Sequence, residues 1–280
     1  MDDQAVRIAA TFDALASQYD NTGVDFFQPI AQDLLRAMPP RPGERWLDIG
    51  CGRGAVTIPA ARAVGATGRV VATDISRRMV ELTSELAAEQ GLDNVRVQLD
   101  DAQAPAIEER SFDTVSSSLV LFFLAQPCEA LAAWMEHLRP GGRIGVTTFG
   151  PRDDRWADVD TVFEAHLPAD TRDARTTGAT GAFASDAGME ALLHDAGFCD
   201  VRTVTGSIPV RFADTEQWEA FTWATGQRTM WLAIPEELRP AVRAAAAAKL
   251  ARYANPDGSI EFTQGVRHTM GTRDSDLPHT

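Results

Sequence analysis

The chain has 280 residues and a mass of 30.3 kDa, room for one α/β domain of about 200–250 residues with additions. Its 40 acidic against 26 basic residues give a formal charge of −14, a field that repels nucleic-acid phosphates and anionic lipid alike. Three well-separated cysteines without metal-ligand spacing exclude a disulfide framework, and no apolar run approaches the roughly 18 residues of a membrane span.

The acidic start Met1-Asp2-Asp3-Gln4 has neither the basic region nor the apolar core of a signal peptide. A cytoplasmic protein is expected, with a small-molecule partner and no nucleic-acid, membrane or metal partner. Monomer and homodimer both stay open.

In residues 5–19 Ile8, Phe12, Leu15 and Tyr19 share one helical face, and a second helix is expected over about 25–38. Pro39-Pro40-Arg41-Pro42-Gly43 then breaks the chain. Strands are expected at Arg45–Ile49, Arg69–Thr73, Val95–Leu99, Phe112–Ser117 and Arg143–Thr148, with helices over 54–65, 76–90 and 127–138. Such alternation specifies a parallel sheet with helices on both faces. Residues 150–184 read as a mobile lid or long connection. A helix follows from Ser185 to Ala196, then a strand Val201–Val210, helices over 214–253 and a last strand Ile260–Thr272. The reading is one domain: a helical cap (1–40), a ligand-binding core (41–150), a lid (151–184), a core continuation (185–213), a helical insertion (214–258), a last strand (259–272) and a tail (273–280).

Gly50, Gly52 and Ala55 satisfy the dinucleotide fingerprint, a weak signal alone. Their common role is to bring backbone against a ligand at a helix N-terminus. Asp48, two residues before Gly50, would repel a pyrophosphate but suits an ammonium-bearing ligand without phosphates, such as S-adenosylmethionine (SAM). Asp74, 24 residues beyond Gly50, ends the second strand where a carboxylate can accept ribose hydroxyls. Asp101-Ala102 ends the third, where an acid can accept an adenine amino group, although adjacent Asp100 is an alternative.

Together these segments resemble the class I SAM-dependent methyltransferases. Leu47-Asp48-Ile49-Gly50-Cys51-Gly52-Arg53-Gly54 is similar to the family's first motif and Val71-Ala72-Thr73-Asp74-Ile75-Ser76 to its second. Asp101–Pro105, Ser111–Val115 and Leu138–Gly142 are similar to the three that follow. Phe12–Asp20 resembles the cap of ubiquinone- and menaquinone-biosynthesis methyltransferases and their natural-product relatives. The resemblance implies a Rossmann-like, mostly parallel seven-stranded sheet with a helical cap and a helical lid or insertion. It implies SAM as cofactor, with Asp48, Gly50, Cys51 and Gly52 around the methionine moiety. Asp74 and Ile75 would take ribose and adenine, Asp101 and Ala102 the adenine edge. Ser117 would lie near the sulfonium, and Tyr19 would reach the methionine carboxylate unless it only packs. Phe122-Phe123 stands where many relatives carry histidines, which makes the mouth of the site more apolar.

His166 is the candidate catalytic residue, and His268 a second group able to face an acceptor. His137 and His194 are expected at the surface, and Cys128 and Cys199 in the core. Trp218, Phe221, Trp223, Met230 and Trp231 form either a core for the insertion or an apolar acceptor pocket. The expected activity is SAM-dependent methyl transfer to an oxygen or carbon of a small, largely apolar metabolite. The alternatives are a SAM-fold cyclase or binder without methyl transfer, and a nicotinamide oxidoreductase.

Overall fold

Short polar side chains start four of the described helices. The computed structural model describes residues 3–167 and 180–275. Ser76 and Ser185 accept from Met79 N and Gly188 N at 3.1 and 3.0 Å, while Asp153 and Asp214 accept from Arg155 N and Gln217 N at 2.9 and 2.8 Å. Each satisfies a backbone donor that its helix leaves unpaired.

The N-terminal half holds α1 (Asp3–Leu15), α2 (Phe27–Ala37), β1 (Arg45–Ile49), α3 (Thr57–Val64), β2 (Arg69–Asp74), α4 (Arg77–Glu89) and β3 (Val95–Leu99). Then come β4 (Phe112–Ser118), α5 (Pro127–Met135), β5 (Leu138–Arg152), α6 (Asp154–Glu164), α7 (Asp186–Asp195) and β6 (Cys199–Phe212). The chain ends with α8 (Thr215–Trp223), α9 (Arg228–Ala233), α10 (Arg239–Leu250) and β7 (Ile260–Thr272).

All seven strands form one sheet in the order β3-β2-β1-β4-β5-β7-β6. β1 to β5 pair in parallel, while β7 runs antiparallel to both β5 and β6. Alternate residues feed opposite faces. Trp46 and Val70 join Met38, Ala60 and Val64 beneath α2 and α3, whereas Leu47 and Val71 join Leu131 and Trp134 of α5. A sheet covered on both sides explains why its central strands are buried at nearly every position, the serines and threonines of β4 included.

Several elements differ from the sequence expectation. The first helix stops at Leu15 and residues 16–20 form turns, so Tyr19 lies beyond the helix. The helix expected to reach 138 ends at Met135, because Leu138 already pairs with Phe112. β5 therefore begins before the Pro140-Gly141-Gly142 segment, which sits in an irregularity of the ladder with Gly141 at φ +70°. The expected lid contains α6, whose Trp156, Val159 and Phe163 are buried; its residues 168–179 lie outside the described part, as do His279 and the end of the tail.

Trp218, Trp231 and Phe163 pack together between α6 and the insertion, and Trp223 stacks on Trp231 with ring centres 5.5 Å apart. Lys249 Nζ meets Asp158 Oδ1 at 2.6 Å and joins α10 to α6. The tryptophan cluster is thus a core that holds α6 and the insertion as one layer. Contrary to expectation His137 is buried and Cys199 exposed. Among the described residues no helix is long and apolar enough to cross a membrane.

Candidate active site

At the carboxyl ends of β1, β2, β3 and β4 the chain encloses a cavity of about 300 Å³. That is the lower end of the usual size for a ligand pocket. Gly50 and Gly52 form part of its wall, Asp74 and Ile75 follow β2, and Asp101 and Ala102 follow β3. Ile8, Phe12 and Tyr19 close it from the cap.

The glycine loop is pinned before any ligand arrives. Gly50 N and Cys51 N both donate to Thr73 O at 2.8 Å, and Thr83 Oγ1 donates to Gly52 O at 2.6 Å. Asp74 completes the fixation: Oδ2 accepts from Gly52 N at 2.8 Å and Oδ1 from Ser76 N at 2.9 Å. Gly50 has φ +72°, and a Cβ there would stand 2.3 Å from Val120 Cγ2. A side chain is excluded at Gly50 by both conformation and space. Gly52, at φ +52°, has room for a Cβ 3.8 Å from Tyr19 Cε1, so the gap between the loop and the cap is space kept open by a missing side chain.

Burial pushes the Asp74 carboxyl up to about 6 despite its two backbone donors, and the nearby Asp48 and Asp13 charges add to the rise. Asp48 is also pushed up to about 6 by burial, although Thr57 and Ser116 hydroxyls donate to its two oxygens at 2.6 and 2.7 Å. Asp48, Cys51 and Ser117 do not line the cavity. Asp48 ties the end of β1 to α3 and β4; Ser117 Oγ donates to Ile49 O at 2.9 Å. Asp100 accepts from Asp101 N and Ala106 N and so shapes the turn after β3, leaving Asp101 with the single bond from Gln103 N at 2.9 Å.

Two carboxylates at adjacent strand ends, an apolar slot at Ile75, Met79, Ala102 and Leu124, and a lining without Lys or Arg among the described residues suit a ligand with a ribose, a flat base and a cationic centre. The same lining offers nothing to neutralise a pyrophosphate. The residues present therefore fit SAM.

A second cavity of about 50 Å³ adjoins the first and shares Phe12, Tyr19, Leu119 and Phe123 with it. Phe26, Phe27, Phe122, Phe149 and Phe221 line it, together with Thr225, Gly226 and Gln227. Leu119, at φ +61°, holds a left-handed conformation rare for a leucine and donates its N–H to Thr147 O at 2.9 Å. Tyr19 stacks on Phe27 with centroids 4.3 Å apart; burial, with Asp20 and Asp74 nearby, pushes its phenol well above the ordinary range.

Neither cavity includes His166, which follows the end of α6. His268 is buried in mid-sheet on β7, its Nδ1 2.9 Å from Thr147 Oγ1, and burial lowers it to about 4. Trp223 and Trp231 also stay outside both cavities; of the expected aromatic cluster only Phe221 lines the second.

The sequence reading missed the contribution of Asp13. Its Oδ1 accepts from Ser76 Oγ at 2.5 Å and from Arg78 N at 3.1 Å, docking α1 on the start of α4. Gln4 Nε2 donates to Phe123 O at 2.8 Å and Arg53 Nη1 to Tyr19 O at 3.0 Å, so three attachments hold the cap over the cavity. The signal for Asp13 was local: an acid inside the Phe12–Asp20 motif.

Comparison with known proteins agrees with this geometry. Residues 47–142 match the methyltransferase domain family. The chain is 39% identical over 276 residues to nocamycin O-methyltransferase of Saccharothrix syringae, covering 93% of this chain and 96% of that one. It is 42% identical over 142 residues to aklanonic acid methyltransferase of Streptomyces sp. strain C5, covering 51% and 64%. The crystal structure of the YcgJ protein of Bacillus subtilis shares the fold, with a TM-score of 0.58 at 18% identity over 88% of this chain and 98% of that one. With an acid-rimmed glycine loop on this sheet and a full-length relative at that identity, the chain belongs to the class I SAM-dependent methyltransferases.

Proposed function

We propose that the enzyme methylates an acidic oxygen of a small, planar and largely apolar metabolite. The observation that carries this reading is the aromatic second cavity, which shares a wall with the acid-rimmed first. In it Tyr19, Gly50, Gly52, Asp74, Ile75, Asp101 and Ala102 hold SAM. Asp48, Cys51 and Ser117 keep the loop and the strand ends in place behind them. When bound, SAM supplies a methyl group that an acceptor oxygen takes with its lone pair as the carbon–sulfur bond breaks, leaving S-adenosylhomocysteine.

The chain's own residues align the acceptor and exclude water from it. Tyr19 is the one titratable side chain lining the second cavity among the described residues, and its raised phenol stays protonated at neutral pH. It does not serve as a base. The acceptor oxygen therefore brings its own acidity, as a carboxylic acid, an enol or an acidic phenol does. The name of the O-methyltransferase relative, matched along nearly its whole length, supports oxygen over carbon. The net charge of −14 supports a free metabolite in the cytoplasm over a nucleic acid.

The test is transfer of labelled methyl from SAM to aromatic carboxylic acids, enols, phenols of graded acidity, and amines. Label should appear in the acids and acidic phenols and fall as phenol acidity falls. Label in amines or ring carbons alone would overturn the reading.

A further inference from the structure

Gln227, which borders the aromatic cavity, lies in the turn between α8 and α9 and is only 4% exposed. Its Nε2 donates to Asp160 Oδ1 of α6 at 3.1 Å. That bond fixes which end of the amide is which, because a carboxylate oxygen attracts the amide N–H and repels the amide oxygen. The other end, Oε1, is buried and has no hydrogen-bond partner among the described residues. Buried amide oxygens are nearly always bonded, and one left alone destabilises its surroundings. In the same insertion Trp231 Nε1 reaches Thr222 Oγ1 at 2.9 Å, while the Trp218 Nε1 is a second buried group without a partner among the described residues.

Gln227 is thus an oriented acceptor without a donor, bordering a cavity walled, besides its neighbours Thr225 and Gly226, by seven phenylalanines, a leucine and a tyrosine, with Phe12 and Tyr19 supplied by the cap. Resting on the acceptor class given above, we propose that Gln227 determines specificity: its Oε1 accepts a hydrogen bond from a hydroxyl or N–H on the planar acceptor, at a position other than the oxygen that is methylated. The substrate class becomes a flat, hydroxylated aromatic or enolic acid. A site built around such a bond discriminates strongly against an analogue lacking the donor, because the protein oxygen is then left unpaired.

The probes are 1-naphthoic acid, its monohydroxylated positional isomers, and the methoxy counterparts of those isomers. Binding to the full chain is measured by calorimetry with S-adenosylhomocysteine present. At least one hydroxy isomer should bind about tenfold or more tightly than 1-naphthoic acid, and its methoxy counterpart should lose that gain. In Gln227→Met the preference should collapse to within about twofold while S-adenosylhomocysteine affinity is unchanged. Phe221→Leu, which trims the wall, should weaken all the probes alike. Should Gln227→Met fail to fold, the hydroxy-against-methoxy comparison on the unaltered enzyme still decides. Equal binding of all the probes, or a hydroxyl preference that survives in a folded Gln227→Met, would overturn the role of Gln227 and leave the acceptor class standing. Binding of none of them would overturn the planar-acid reading together with this one.

Discussion

At Asp74 burial and hydrogen bonding act in opposite directions, and burial wins: the carboxyl stands at about 6 although Gly52 N and Ser76 N both donate to it. A folded-state value above the unfolded one makes the free enzyme lose stability as pH rises from about 4 through 6, with Asp48 contributing in the same direction. With Asp74 as the proposed acceptor of the ribose hydroxyls, cofactor binding should have the opposite sign, because the ionised carboxylate is the stronger acceptor. Affinity for S-adenosylhomocysteine should weaken by up to about tenfold per pH unit below 6. Asp74→Asn should flatten that profile and cost about 1.5–3 kcal/mol of binding at pH 8. Calorimetry from pH 5 to 8 checks both, and an unchanged profile in the variant would remove Asp74 from the site. The glycines separate by space. Gly50→Ala meets Val120 and should cost about 2–3 kcal/mol of stability beyond its backbone strain, whereas Gly65→Ala, at φ +69° and ψ −173° with nothing nearby, carries backbone strain of about 1–3 kcal/mol alone. Thermal melts distinguish the two. Strand-end acids and glycines were legible because their spacing is set by chemistry along one chain. That Asp48 spends one oxygen on Ser116, and that Val120 crowds Gly50, depends on segments 68 and 70 residues away, which no spacing encodes.

The elements follow the same division. β3 and β7 run over the residues that their alternation and apolar character predict, because the signal is carried within the strand. α6 was missed as a helix although Trp156 and Phe163 lie seven apart, one face of two turns; the surrounding acidic residues hid an apolar stripe that the insertion covers together with Phe212 of β6 and Phe262 of β7. For the same reason the tryptophans of the insertion were open to two uses. Trp231 is fully buried and its ring meets Phe163 edge-on, so Trp231→Ala should cost about 3–5 kcal/mol of stability. Its S-adenosylhomocysteine affinity should stay within about twofold, and a selective loss of binding without destabilisation would return Trp231 to the acceptor site. The cap behaves as a separate unit. Asp13→Ala removes both the Ser76 and the Arg78 attachment of α1 and should speed cofactor release several-fold, with a stability loss of about 0.5–2 kcal/mol. Stopped-flow dissociation measures it; an unaltered rate would mean that Gln4 and Arg53 suffice to hold the cap.

Across the whole molecule the sheet sets a division of labour. The segments after β1 to β4 line the first cavity, while the second adds Phe149 from β5 and Phe221, Thr225, Gly226 and Gln227 from the insertion after β6 to residues of the cap and of the segment after β4. Strand order within the parallel half follows from right-handed crossovers, but the place of β7 does not follow from local sequence, since its partners end more than a hundred and about fifty residues earlier. That placement has a consequence for synthesis. Of the seven strands of this sheet β7 is made last, and it is the one that fills the slot between β5 and β6. Until Thr272 has emerged, two bare edges face each other across a missing strand, with Arg143 and Cys199 both awaiting the same partner. Unpaired edges recruit foreign strands. A chain stopped at Ser259 should accordingly be insoluble or captured by chaperones, even though every residue lining both cavities is already present. The nascent enzyme carries a finished active-site sequence on an unfinished sheet, and its window of vulnerability closes only with its final strand.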